Sequence, residues 1–210
     1  MEGRSQELVS RINSELSIDI IPGHFATNHS HINYYIDMTN IKCSHKMAKL
    51  VAEQFANNYS ASTLVDTIVC LDGTEMIAAF LADNLAQNGV NNGENINIVT
   101  PEFNSNGQMI FRDNIQKMVW KKNIILLVAS ATTGKTINRS LECIQYYNGK
   151  TRGISAIFSA ADRIGDIDIN CIFKKDDITD YRTYAAHECP ECIAKKKLDA
   201  IVNSYGYSKL

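Results

Sequence analysis

Residues 123–136 read NIILLVASATTGKT, Asn123 to Thr136. The run Ile124–Val128 is apolar without interruption. A strand that buries only one face alternates apolar and polar residues. An unbroken apolar run of this length, ended by small residues, suits a strand buried on both faces of a parallel sheet. Behind it come Ser130, Ala131, Thr132, Thr133, Gly134, Lys135 and Thr136, and then a helical pattern over 136–147. Backbone N–H groups in a small-residue turn, together with the positive end of the helix that follows, form a cradle for an anion. The stretch therefore predicts strand, phosphate-binding loop and helix in that order. Two loop chemistries share these letters. From Ala129 the spacing is A-x-x-x-x-G-K-T, one glycine short of a nucleotide-triphosphate P-loop, which would place Lys135 on the β/γ-phosphates and Thr136 on Mg²⁺. From Thr132 it is T-T-G-K-T.

Strand and helix patterns alternate on either side. Residues 67–70 read as a buried strand, with Met76, Ile77, Phe80, Leu81 and Leu85 forming a helix stripe after Gly73. Residues 96–99 give a third strand, 153–158 the strand after the central one, and 171–173 a segment that pairs beside it. Upstream, 34–38 is strand-like and Ser44 is a plausible N-cap for a helix carrying Met47, Leu50, Val51 and Phe55. Leu8, Val9, Ile12 and Leu16 recur at helical spacing and predict a short amphipathic helix over 5–17. Residues 190–202 predict a helical tail, and 100–108, TPEFNSNGQ, an exposed loop. The alternation argues for an α/β fold: a mainly parallel twisted sheet with helices on both faces and right-handed crossovers. Ligands in such sheets bind outside the carboxyl ends of the strands, which is where residues 71–75, 100–108 and 129–136 fall.

Composition narrows the function classes. A formal net charge of −2 from 21 basic and 23 acidic residues gives no electrostatic reason to expect nucleic acid as a partner. The one tight basic run, Lys195-Lys196-Lys197, reads as a solvated helix face. No stretch reaches the ~20 apolar residues of a membrane span, and the polar first sixteen residues do not read as a signal peptide. The expectation is a cytoplasmic protein whose six cysteines are reduced thiols or ligands.

Several stretches, in order, resemble the type I phosphoribosyltransferases, and the orotate phosphoribosyltransferase branch in particular. Thr132-Thr133-Gly134-Lys135-Thr136 matches that family's T-T-G-x-T/S. Gly23-His24-Phe25 with Thr27, His31 and Tyr34-Tyr35-Ile36-Asp37 resembles its G-H-F … T-S-G-x-H-S-x-Y-Y-I-D. Residues 66–75 occupy the place of its pyrophosphate loop, and Glu188-Cys189-Pro190-Glu191-Cys192 is similar to the E-C-P-x-C of some orotate-type relatives. The resemblance covers about residues 5–195. It implies one phosphoribosyltransferase-like domain over 1–210, in which 1–40 and 180–210 supply a small N-terminal hood and a helical C-terminal tail. It also implies a 5′-phosphate held on residues 130–136, and a diphosphate loop at Leu71, Asp72, Gly73 and Thr74. If the chain is an enzyme, the resemblance implies Mg²⁺-dependent transfer of phosphoribose to a pyrimidine-like base. It further implies a homodimer acting on a phosphorylated ribose or nucleotide.

The chain departs from that pattern twice. The family's two acidic positions before the loop, which hold the ribose 2′- and 3′-hydroxyls, fall on Val128 and Ala129, and neither side chain accepts a hydrogen bond. The mobile K-x-x-K-x-H-G segment falls on residues 101–108, which contain no Lys and no His. Asp72 and Glu75 are the candidates for replacement carboxylates and Arg112 for a replacement cation. Two functions stay open at this level: a phosphoribosyltransferase, or a non-catalytic nucleotide-sensing protein on the same fold. A third, the P-loop nucleotide binder, would need a metal-holding acid, for which Asp162 is the nearest candidate. His187, Cys189 and Cys192 offer the start of a zinc site, although no second C-x-x-C exists to complete it. His24, His29 and His31 read as local capping and surface hydrogen bonding, and Tyr34 and Tyr35 as strand packing.

Overall fold

The computed structural model describes residues 2–210. In chain order the elements are β1 (Gln6–Val9), β2 (Ser17–Ala26), β3 (His31–Asp37), α1 (Thr39–Cys43), α2 (His45–Asn57), β4 (Thr67–Cys70) and α3 (Glu75–Ala86). Next come β5 (Asn97–Val99), β6 (Glu102–Phe103), β7 (Met109–Ile110), α4 (Asp113–Gln116), β8 (Asn123–Ala131), α5 (Lys135–Tyr146) and β9 (Lys150–Ser159). The chain closes with β10 (Arg163–Ile164), β11 (Ile167–Lys174), β12 (Thr183–Tyr184), α6 (Pro190–Ile193), β13 (Ala200–Asn203) and β14 (Gly206–Lys209).

The central sheet has the order β10-β11-β9-β8-β4-β5, with every neighbour parallel except the short β10. β8 lies in its middle and is buried along nearly its whole length. Its side chains alternate between two cores. Ile125, Leu127 and Ala129 join Ile68 and Cys70 of β4 against Val51, Phe55, Ile77 and Leu81 of α2 and α3. Ile124, Leu126 and Val128 join Val69 and Leu71 against Ile137 and Ile144 of α5. The parallel sheet with helices on both faces, expected from the apolar run, is the observed architecture.

A second sheet, β12-β3-β2-β13-β14 with β1 also on β2, is assembled from the two ends of the chain. Its buried residues, among them Ile18, Ile20, Phe25 and Tyr35, belong to the same core as α2 and α3, so the sheet is packed onto the rest of the molecule. β2 and β3 slip register between Pro22 and Phe25. The bulge holds Gly23, where a Cβ would lie 2.5 Å from Asp199 Oδ2, and His24. A bulge of this kind re-aims the side chain it carries.

Three local expectations differ from the structure. Residues 5–17 form β1 and a turn rather than a helix. Val9 and Ile12 are about half exposed while Leu16 is buried, so the four apolar residues do not share a face. β1 instead pairs Gln6–Val9 antiparallel with Ser17–Ile20. The tail is helical only at Pro190–Ile193 and then enters β13, where Ala200 and Val202 are buried and their neighbours exposed, a period of two. Residues 100–108 are largely exposed, but 102–103 and 109–110 close into a hairpin whose turn is held by Asn104 Oδ1, which accepts from the N–H of Asn106 and Gln108, both at 2.9 Å.

The burial of β8 gives a stability prediction. Leu126→Ala, in the middle of the strand, should lower the free energy of unfolding by about 2–5 kcal/mol in urea denaturation, whereas Ile98→Ala on the exposed side of β5 should cost under about 1 kcal/mol.

Candidate functional site

The carboxyl ends of β4, β8 and β9 open into a cavity of ≈ 210 Å³, roofed by the β2–β3 turn and the β13–β14 turn. All seven phosphate-loop candidates, residues 130–136, line it. β8 fixes where the loop starts, and Gly134 fixes how it ends. Gly134 is the N-cap of α5 with φ 71° and ψ −4°, a left-handed conformation, and a Cβ there would come 2.6 Å from Ile164 Cδ1. The first N–H groups of α5 have no intrahelical acceptor, and the residues that carry them, Lys135, Thr136 and Ile137, line the cavity. Thr133 and Lys135 are exposed and Thr132 and Thr136 half-buried, so the hydroxyls and the cation are accessible to a ligand.

Val128 and Ala129 are placed quite differently. Both lie inside β8, 1% and 0% exposed, one in each core. Residues 129–131 are part of β8, which leaves 132–134 as the free loop before α5. A P-loop wraps a phosphate with backbone from its first glycine onward, and here that position is Ala129 in the sheet. Asp162 is exposed, lies outside the cavity and pairs with Lys174 at 3.3 Å.

Of the diphosphate-loop candidates, Asp72 alone lines the cavity. Leu71 is core, and Thr74 is buried with its hydroxyl donating to the Leu71 carbonyl at 2.7 Å. Asp72 and Gly73 are consecutive left-handed residues, φ 62° and 75°, between them. Burial pushes the Asp72 carboxyl above the ordinary carboxylate range. Hydrogen bonds from Ser204 and the Ala129 backbone and the charge of Lys42 act against that, and Glu75 adds to it. Glu75 points away, exposed, accepting from the Thr100 hydroxyl at 3.3 Å. Arg112, the N-cap of α4 just after the 102–110 hairpin, is in an exposed pair with Glu102, Nε to Oε2 2.9 Å, and is outside the cavity.

Sequence reasoning missed Lys42. It extends from α1, donates to the carbonyl of Asp72 at 3.2 Å and to that of Ser204, and so ties the diphosphate-loop position to the β13–β14 turn. Nothing local marks it, because its partners are 30 and 162 residues away. Asn203 and Ser204 were hidden by the helical reading of the tail. Among the zinc candidates, Cys189 and Cys192 lie together beside His24 and His31, and His187 stands apart, exposed, 3.5 Å from Glu188. His24 is buried and not a surface residue.

No protein-family model matches this chain, and no curated protein sequence matches it. Solved structures do. UMP synthase from Leishmania donovani superposes with a TM-score of 0.53 at 14% identity over 75% of this chain, which spans about a third (34%) of that protein's length. Orotate phosphoribosyltransferase from Aeropyrum pernix gives 0.52 at 14% identity, covering 75% of this chain and 88% of that one. Adenine phosphoribosyltransferase from Leishmania tarentolae gives 0.51 at 14% identity, covering 70% and 79%.

The Asp72 environment has a pH signature. A carboxyl raised in the folded state contributes stability below its unfolded value of 3.8 and loses it as pH rises through the folded value. Asp72→Asn should therefore melt above the wild type at pH 7, with the difference closing as pH falls toward 3.8, as followed by circular dichroism melts across that range.

Proposed function

On the premise of a type I phosphoribosyltransferase fold, which those structures share with this chain, we propose that the protein binds a 5′-phosphoribosyl compound and does not transfer its phosphoribosyl group. One observation carries the reading: residues 130–136 line a single cavity while the two positions before them are apolar and sealed in the core. The cradle supplies backbone N–H groups, three threonine hydroxyls and Lys135. Hydrogen bonds to a charged group are worth about 1.5–3 kcal/mol each. Val128 and Ala129 supply no acceptor for ribose hydroxyls and no negative charge beside an oxocarbenium-like carbon.

The leaving group is equally unsupported. Diphosphate departs when cations neutralise its developing charge. The 100–110 hairpin brings no lysine, the Arg112 that follows it is paired with Glu102, and the hairpin is tied to α5 by the Cys143 thiol donating to the Met109 carbonyl at 3.1 Å. A resident Mg²⁺ does not fit. Asp72 is the one carboxylate among the cavity-lining residues, and burial favours its protonated form. Binding of a phosphorylated sugar through residues 132–136 needs no such ion.

A second reading, residual transferase activity, is favoured by one feature: Asp72 presents a carboxylate to the cavity with the Lys42 ammonium beside it. In that reading the acceptor is a pyrimidine-like base. A homodimer, which the resemblance implies, belongs to either reading and is measured by sedimentation equilibrium.

Calorimetry and a turnover assay separate the two. Ribose 5-phosphate and phosphoribosyl pyrophosphate should each bind saturably. Thr133→Asp, which puts a like charge in the cradle, and Gly134→Val should each weaken binding by tenfold or more, the loss of about 1.4 kcal/mol. With phosphoribosyl pyrophosphate, Mg²⁺ and orotate no diphosphate should be released. Diphosphate release abolished by Asp72→Asn would establish the transferase instead, and absence of binding to either compound would remove the site.

A further inference from the structure

We infer that His24, His31, Cys189 and Cys192 form a structural zinc site that fastens the two ends of the chain together over the cavity. The four residues offer four ligand atoms within 4.8 Å of one another. His24 Nε2 lies 3.1 Å from His31 Nδ1, 3.4 Å from Cys189 Sγ and 3.5 Å from Cys192 Sγ, and Cys192 Sγ lies 3.3 Å from His31 Nδ1. A tetrahedral zinc with Zn–N of about 2.0–2.1 Å and Zn–S of about 2.3 Å separates its ligand atoms by about 3.3–3.8 Å. Three of these four separations fall in that range, the His24–His31 pair is 0.2 Å shorter than its lower end, and the remaining pairs lie within 4.8 Å, so a small adjustment of the side chains closes the shell. Two imidazoles and two thiolates are a donor set zinc takes in closed, four-ligand structural sites, and the mixture of nitrogen and sulfur disfavours Mg²⁺ and Ca²⁺.

The surroundings are built to hold this geometry. His24 sits on the Gly23–His24 bulge of β2, which turns its ring out of the strand register. Its backbone N–H donates to Asp199 Oδ2 at 2.9 Å and its carbonyl accepts from the Asp199 N–H at 2.8 Å. Arg4 in turn pairs with Asp199. The other ring nitrogen, Nδ1, faces the Lys197 carbonyl at 3.3 Å. A proton on Nδ1 directed at that oxygen leaves Nε2 with its lone pair toward the cluster, a second-shell arrangement that metal-ligating histidines use to fix their tautomer. Pro190 at the first position of α6 sets the turn that brings Cys189 and Cys192 to one side. Cys189 and His24 are buried, and Cys192 and His31 are half-buried, so the cluster is closed to solvent on one side and leaves no open position for catalysis.

The consequence is mechanical. The ligands come from β2, β3 and the 189–192 turn, and a metal there closes a loop of some 165 residues. Between His24 and His31 lies the turn carrying Thr27, Asn28 and His29, which form one wall of the cavity. Its inner contacts are local, Thr27 Oγ1 accepting from the N–H of His29 at 3.1 Å and of Ser30 at 2.9 Å. The metal would anchor both strands that present this turn. The inference does not depend on which ligand the cavity takes.

The test uses the full-length chain, expressed without a metal-affinity tag and dialysed, with zinc measured by plasma mass spectrometry. The expected result is one zinc per chain. The zinc should be lost in His31→Ala and in Cys192→Ala and kept in His187→Ala, and its removal by a chelator should lower the melting temperature. Cobalt(II) exchanged into the wild type should show thiolate charge-transfer and tetrahedral ligand-field absorption, a readout that does not rely on any variant folding. A folded wild type that carries no zinc and takes up none in competition with a chromophoric chelator would overturn the site. So would zinc retained in both ligand variants, or a cobalt form without thiolate bands.

Discussion

The structure depends on one constraint, the burial of β8 on both faces. A strand with Ile125, Leu127 and Ala129 against α2 and α3, and Ile124, Leu126 and Val128 against α5, has no freedom of register, since a one-residue slip would exchange the two cores. It therefore delivers Thr132 to a fixed height above the sheet. The left-handed Gly134 then turns the chain into α5 within two residues. The position of the loop proposed to hold a phosphate follows from the hydrophobic packing beneath it, with Gly134 setting its turn.

That same packing fills the two positions where the resemblance to phosphoribosyltransferases would place carboxylates. A charged group at Val128 or Ala129 would be an ionised side chain inside a core with no partner, which costs several kcal/mol. The sheet runs unbroken through both positions, and polar side chains lie at its rim, on Asp72, Lys42 and the turns of the second sheet. Lys42 binding two backbone carbonyls is a structural use of a cation, holding Asp72 and Ser204 in place across the cavity mouth. The pocket is lined by Thr132, Thr133, Lys135 and Thr136 of the loop and by Asp72.

How much of this was legible depended on whether the cause was local. β8, the loop after it and the α5 pattern could be read directly, because an apolar run, a cluster of small residues and a 3.6-residue period each have one dominant physical interpretation. The Ser44 cap was equally readable: its hydroxyl oxygen accepts from the Met47 N–H at 3.4 Å. The ends were not. Leu8, Val9, Ile12 and Leu16 fit a helical stripe, but tertiary pairing with Ser17–Ile20 prevailed, and in the tail the deciding signal was the two-residue alternation of Ala200 and Val202. His24 and His31 were read as surface residues because their cysteine partners lie more than 150 positions away, and the bulge at His24 is a property of strand pairing rather than of the Gly-His-Phe letters.

The central claim, a phosphate held by the loop after β8 beside an apolar strand end, is met most directly by a crystal structure of the chain with ribose 5-phosphate. The phosphate should rest on the backbone N–H groups of residues 133–136, with its ribose hydroxyls finding no acceptor from Val128 or Ala129. A phosphate bound elsewhere, or ribose hydroxyls gripped by a pair of carboxylates brought in by rearrangement, would contradict it.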